Sequence, residues 1–289
     1  YNPLRMSGLS TTTSTPATSG HTSSHSSARP WATAIVFKSD RNSSNQHIWN
    51  SGEGTGGNDD NIALRTDSAG RLWLSWGRSG AMVECQLATG ISASRWYGVY
   101  IAHTGERLSG SNATAANLAD CFDIRLMSSA DSFAALGSNL STTATWTTTG
   151  GRMDRAIMGD FTVGGRGSNR NFHGKVASMV VTTLRRGVAM PTDAEIKLLL
   201  TDPKKWEDDY RVGQTVRYSS SGGNVTYNAG SSTAGYGGTL LWLMGDGTND
   251  SYGNGIRNQV SPTEQNYTKL QFNSMNSNDL ETVTIPGLT

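Results

Sequence analysis

From Trp31 to Thr183 the chain repeats one local pattern: a short apolar or aromatic run closed by Gly, Ser, Asn or Asp. Runs of that length cannot carry the periodicity of a packed helix. β-branched and aromatic residues bounded by turn formers instead read as strands. The pattern predicts strands at Ala32–Lys38, Gln46–Trp49, Asn61–Thr66, Arg71–Trp76, Ala81–Leu87, Trp96–His103, Cys121–Met127, Ala156–Val163 and Lys175–Thr183. The clearest hairpin is the third with the fourth. It turns on Asp67-Ser-Ala-Gly70, where Gly supplies the left-handed position. Alternation puts Leu72, Leu74 and Trp76 on one face, with Arg71, Trp73 and Ser75 on the other.

One helix is legible. Thr192 caps it, Glu195 stands three residues on, Ile196 and Leu198–Leu200 supply an apolar face, and Pro203 stops it near residue 200. Composition agrees with an all-β chain, since hydrophobic residues are 35% and charged ones 16%. Gly, Ser, Thr and Asn fill the rest. The net charge of +1 offers no field for nucleic acid. No apolar run reaches membrane-spanning length. Cys85 and Cys121 lie in apolar stretches and read as buried thiols rather than a bridge.

The organisation falls into four parts. Residues 1–30 are a Ser/Thr-rich arm in which His21 and His25 lack a third ligand, 31–205 hold the strands and helix, 206–239 are a spacer, and 240–289 are a terminal element. In that element the run Leu240, Leu241, Trp242, Leu243 and Met244 stops at a Gly-Asp-Gly turn. Left exposed, such a run invites aggregation, so it is expected to be ordered and engaged in an interface, either docked on its own domain or, the favoured arrangement, reaching a neighbouring subunit.

Two resemblances add to this reading. Ala156-Ile-Met-Gly159, Phe172-His-Gly-Lys-Val-Ala-Ser-Met-Val-Val181, Leu184 and Thr192-x-x-Glu195 resemble the closing strands and helix of the concanavalin A-like (laminin-G-like) jelly roll. The fold implied is an all-β antiparallel jelly-roll sandwich with one short helix and a C-terminal extension. The block Trp242-Leu-Met-Gly-Asp246, with Ile256-x-Asn258-Gln259 and Val283-x-x-Pro286, resembles a terminal element of structural proteins of marine tailed phages. That resemblance implies a virion surface protein, a capsid decoration or an appendage (fibre or knob) subunit. Its partners would be other virion proteins and copies of itself, with host surface glycans as a further partner. Neither nucleic acid nor membrane insertion is implied.

The chemistry-bearing motifs argue against an enzyme. A glycoside hydrolase needs two carboxylates about 5 to 9 Å apart. Glu84, Glu106, Glu195, Glu264 and Glu281 are isolated in sequence, and Gly77-Arg-Ser-Gly80 is short of a nucleophile elbow. A glycan-binding face would use an aromatic beside polar donors, for which Trp49, Trp73, Trp96 and Tyr97 are the candidates, although a strand Trp is more commonly core. No cofactor is implied beyond calcium, whose candidate ligands are Asp246 and Asp250 after the apolar run, and Asp59 and Asp60 in a Gly-rich loop. The alternatives are a secreted or surface lectin module and a divergent glycoside hydrolase.

Overall fold

The computed structural model describes residues 4–6, 31–51, 61–78, 81–93, 95–104, 115–143, 146–148, 161–165, 170–184, 191–202, 206, 215–219, 224–228, 236–245, 256–258, 270–273 and 280–283. Their elements run β1 (Leu4–Met6), β2 (Trp31–Ser39), β3 (Gln46–Ser51), β4 (Asn61–Thr66), β5 (Leu72–Arg78), β6 (Ala81–Ala88) and β7 (Trp96–His103). Then come α1 (Ala115–Cys121), β8 (Phe122–Ser128), β9 (Trp146–Thr148), β10 (Phe161–Val163), β11 (Gly174–Leu184) and α2 (Asp193–Thr201). The last strands are β12 (Thr215–Ser219), β13 (Asn224–Asn228), β14 (Tyr236–Gly245), β15 (Ile256–Asn258), β16 (Leu270–Asn273) and β17 (Leu280–Val283).

The strands form an antiparallel jelly-roll sandwich. One sheet orders β17-β16-β1-β10-β3-β4-β5-β6-β9, the other β15-β14-β11-β2-β7-β8, and β12 with β13 makes a separate hairpin. Alternation assigns the faces. Trp31, Ile35 and Phe37 of β2 pack between the sheets with Leu64, Leu72, Leu74, Cys85, Val99, Ile101 and Val181. Their neighbours Ala32, Ala34 and Val36 turn outward, where α2 covers them with Ile196, Leu199 and Leu200, joined by Trp206. Both cysteines are buried thiols that form no disulfide with each other, and burial pushes the Cys85 thiol up to about 12.

α2 forms where the sequence places it, with both halves of the capping box present: Thr192 N–H donates to Glu195 Oε2 at 2.5 Å, and Glu195 N–H to Thr192 Oγ1 at 3.4 Å. A second short helix, α1, takes Cys121 from the predicted strand. Its seven residues are too few to show a helical period in the sequence. The predicted strand at Ala156–Val163 is described only as β10, and residues 151–160 lie outside the described residues.

The sheets run beyond the expected boundaries of 31 and 205. β1, from the N-terminal arm, pairs with both β10 and β16, so part of the arm is a sheet strand. β14 pairs with β11 from Ser178↔Met244 to Leu184↔Tyr236. The run Leu240–Met244 therefore commits its ladder on that side to its own chain, the docked arrangement rather than the favoured reach to a neighbour. The physical reason is the eleven-residue β11, an edge without β14, whose free N–H and C=O groups are satisfied closest at hand by the returning chain. Within the spacer, β12 and β13 pair with each other and Trp206 is wholly buried under the helix layer.

Candidate functional site on the outer face of the nine-stranded sheet

The two outer faces differ in chemistry. That of the six-stranded sheet is largely apolar and roofed by α2 and Trp206, with Arg125 paired to Asp123 and Asp193 at its β8 edge. That of the nine-stranded sheet carries polar side chains on β4, β5 and β6. The register aligns Ala63, Ser75 and Glu84 in one row, and Arg65, Trp73 and Gln86 in the next.

Trp73 is the centre of this face. Its neighbours Leu72 and Leu74 point into the inter-sheet core, so the pleat turns Trp73 outward, where it is half-buried. Two guanidinium groups lie over its ring, Arg71 at 5.3 Å and Arg65 at 5.8 Å from the centroid. Its indole N–H donates to Asp67 Oδ2 at 3.0 Å, and Arg71 Nε donates to the same oxygen at 2.6 Å. Asp67 Oδ1 accepts the backbone N–H groups of Ala69 at 2.9 Å and Arg71 at 3.0 Å, which closes the predicted turn. Burial works to raise the pKa of Asp67. The donors from Arg71, Trp73 and Ala69 outweigh it and hold the carboxyl below its ordinary value.

Arg65 anchors the other side. Its Nε donates to Ser75 Oγ at 2.5 Å, and its Nη2 pairs with Glu84 Oε1, which also accepts Ser75 Oγ–H at 2.8 Å. Cations stacked on an indole face are favourable, and more so when partly desolvated. The arrangement is a ring loaded with two cations, each tied to a carboxylate.

Gly70 sets the hairpin that presents this group. Its φ is +75°, and a Cβ there would lie 1.8 Å from the Asn42 carbonyl oxygen. Only glycine fits both demands.

The other aromatic candidates lie elsewhere. Trp49 is wholly buried in the inter-sheet core, a correction with a local cause. The β3–β4 register slips between His47 and Trp49, so Ile48 and Trp49 both enter the core. A bulge of this kind sets two residues against one and breaks the alternation. Tyr97 is also core: it stacks on Phe37 at 5.9 Å and its hydroxyl accepts the Ser92 N–H at 2.8 Å. Trp96 is partly buried against the apolar layer under α2. Of the four, only Trp73 belongs to a polar outer face. Asp59, Asp60, Asp246 and Asp250 lie outside the described residues. Among the described residues no group of three or more His, Cys, Asp or Glu could hold a metal ion.

Arg65, Asp67, Arg71, Ser75 and Glu84 were not singled out as site residues by the sequence. The signal was present in the hairpin, whose alternation already set Arg71, Trp73 and Ser75 on one face.

No protein-family model matches the chain, and no curated protein matches it. Similar solved structures include the native heptameric SAP-like pentraxin from Limulus polyphemus, 12% identical over 70% of this chain and 76% of that one, with a TM-score of 0.34. The LG1-3 region of the laminin alpha2 chain is 11% identical over 63% of this chain and 30% of that one, with a TM-score of 0.34. The enzymatically active domain of tailspike protein 2 from bacteriophage CBA120 is 11% identical over 70% of this chain and 31% of that one, with a TM-score of 0.33. The chain thus spans about a third of the length of the last two.

Proposed function

We propose that this chain is a non-catalytic, carbohydrate-binding jelly-roll subunit carried on the exterior of a virus particle, as a capsid decoration or appendage of a tailed phage. The observation that carries the binding role is the half-buried Trp73 with Arg65, Arg71, Asp67 and Glu84 on the outer face of the nine-stranded sheet. An aromatic body flanked by fixed donors and acceptors is what a polyhydroxylated ligand requires. The same site serves a lectin module outside a virion, and the two roles are compatible.

The virion role is supported by the terminal block from Trp242 to Pro286. Its described strands add to both sheets, β14 and β15 to one and β16 and β17 to the other. A body broadened in this way suits a rigid shell or appendage subunit. Its partners are copies of itself and other virion proteins.

The non-catalytic reading draws on the state of three described carboxylates. Asp67 is held ionised by its donors, and Glu84 and Asp123 are paired with Arg65 and Arg125. A glycosidase instead needs one carboxyl free to protonate the leaving oxygen and a second carboxylate across the scissile bond.

A glycan array on the full chain, repeated with Trp73→Ala, tests the binding role: binding lost in the variant supports it, and an array without binders refutes it. Release of reducing ends from any bound glycan would refute the non-catalytic reading. Mass spectrometry of purified particles tests the virion role, which fails if the chain is absent from them.

A further inference from the structure

The two arginines over Trp73 are in different states. Arg65 has Nε on Ser75 and Nη2 on Glu84, and its side chain is 17% exposed. Arg71 commits only Nε, to Asp67, and its side chain is 46% exposed. No other acceptor for the Arg71 guanidinium stands among the described residues. Nε of this group is therefore fixed by a carboxylate, its Cζ lies over an indole ring, and its Nη groups belong to a side chain that is nearly half exposed and have no acceptor among the described residues.

Two parallel N–H groups held in that way match the paired oxygens of a carboxylate, sulfate or phosphate. A neutral hydroxyl fills one of them and gains no charge assistance. The ring itself is covered by the guanidinium groups, so a sugar reaches this face through the cations more readily than by stacking on bare indole. The charges of Arg65 and Arg71 are balanced by Asp67 and Glu84, so the site draws no anion from a distance. Discrimination arises on contact.

We infer that the ligand of this face is an acidic glycan, a saccharide bearing a carboxylate or sulfate that the Nη edge of Arg71 grips beside Trp73. The inference rests on the carbohydrate-binding reading and narrows it. Isothermal titration of the full chain with alginate oligosaccharides, carrageenan oligosaccharides and neutral laminarin oligosaccharides of equal length tests it. At least one acidic series binds roughly tenfold more tightly than the neutral one, as a charge-assisted pair warrants. Arg71→Gln abolishes that preference, and Arg71→Lys, which keeps a charge beside Asp67, retains part of it. The lysine variant keeps the test readable should the glutamine variant fail to fold. Equal affinity for acidic and neutral series, or a preference untouched by Arg71→Gln, overturns this inference and leaves Trp73-dependent glycan binding standing. Absence of binding to every series overturns the carbohydrate reading and this inference together.

Discussion

The indole N–H of Trp73 donates to Asp67 Oδ2 at 3.0 Å, which fixes an outward tryptophan to the turn that begins its own hairpin. The contact couples the stability of the turn to the shape of the candidate site. A change at Asp67 is read out in both.

The first prediction concerns that carboxylate. The folded pKa of Asp67 lies below its unfolded value, so its contribution to stability is full above the unfolded value, near pH 4. That contribution is lost as pH falls through the folded value. Asp67→Ala is expected to cost about 2 kcal/mol at pH 7, the loss of charged hydrogen bonds at a largely buried group. The gap between wild type and Asp67→Asn in urea unfolding should narrow as pH drops below about 4. A gap constant with pH would show that the carboxylate charge is not what stabilises the turn.

Gly70→Ala is predicted to destabilise the hairpin by at least about 2 kcal/mol, since it adds both a backbone penalty and a collision with the Asn42 carbonyl. The loss should appear in thermal unfolding together with weaker glycan binding. Wild-type stability in this variant would mean that the turn tolerates a side chain.

Thr33 gives the opposite sign. It is 1% exposed, lies on the inward face of β2 between Trp31 and Ile35, and its hydroxyl has no hydrogen-bond partner among the described residues. Replacing a buried orphan hydroxyl with a methyl removes its desolvation cost at nearly constant volume. Thr33→Val should raise stability by about 1 kcal/mol, seen as a higher urea midpoint with an unchanged slope. A lower midpoint would show that the hydroxyl is satisfied in solution.

Deletion of residues 236–289 removes β14 and bares the edge of β11. A long exposed edge is a template for pairing between chains. The truncated chain should aggregate on sizing chromatography at concentrations where the full chain does not. A truncated chain that stays monodisperse would mean that β14 is dispensable to the sheet.

The strands and α2 were legible because alternation and capping are local signals. The hairpin from Asn61 to Trp76 and the box of Thr192 with Glu195 are written in contiguous residues. Trp49 was not legible, because the slip beside Ile48 depends on the partner strand and leaves no mark in β3 itself. The pairing of β14 with β11 was hidden for a related reason: a ladder across some sixty residues of sequence is a property of the whole sheet. The site was half visible. Alternation turns Trp73 outward, but cross-strand register is needed to bring Arg65 and Glu84 beside it.

The central claim is that glycans bind at the Trp73 face. Its most direct test follows indole N–H resonances in a ¹⁵N spectrum of the full chain as an array-selected glycan is added, with Trp73 assigned through Trp73→Phe and Trp49 through Trp49→Phe. The account predicts that the Trp73 resonance shifts to saturation while that of the core residue Trp49 stays fixed. Saturable glycan binding that leaves the Trp73 resonance unmoved would contradict it.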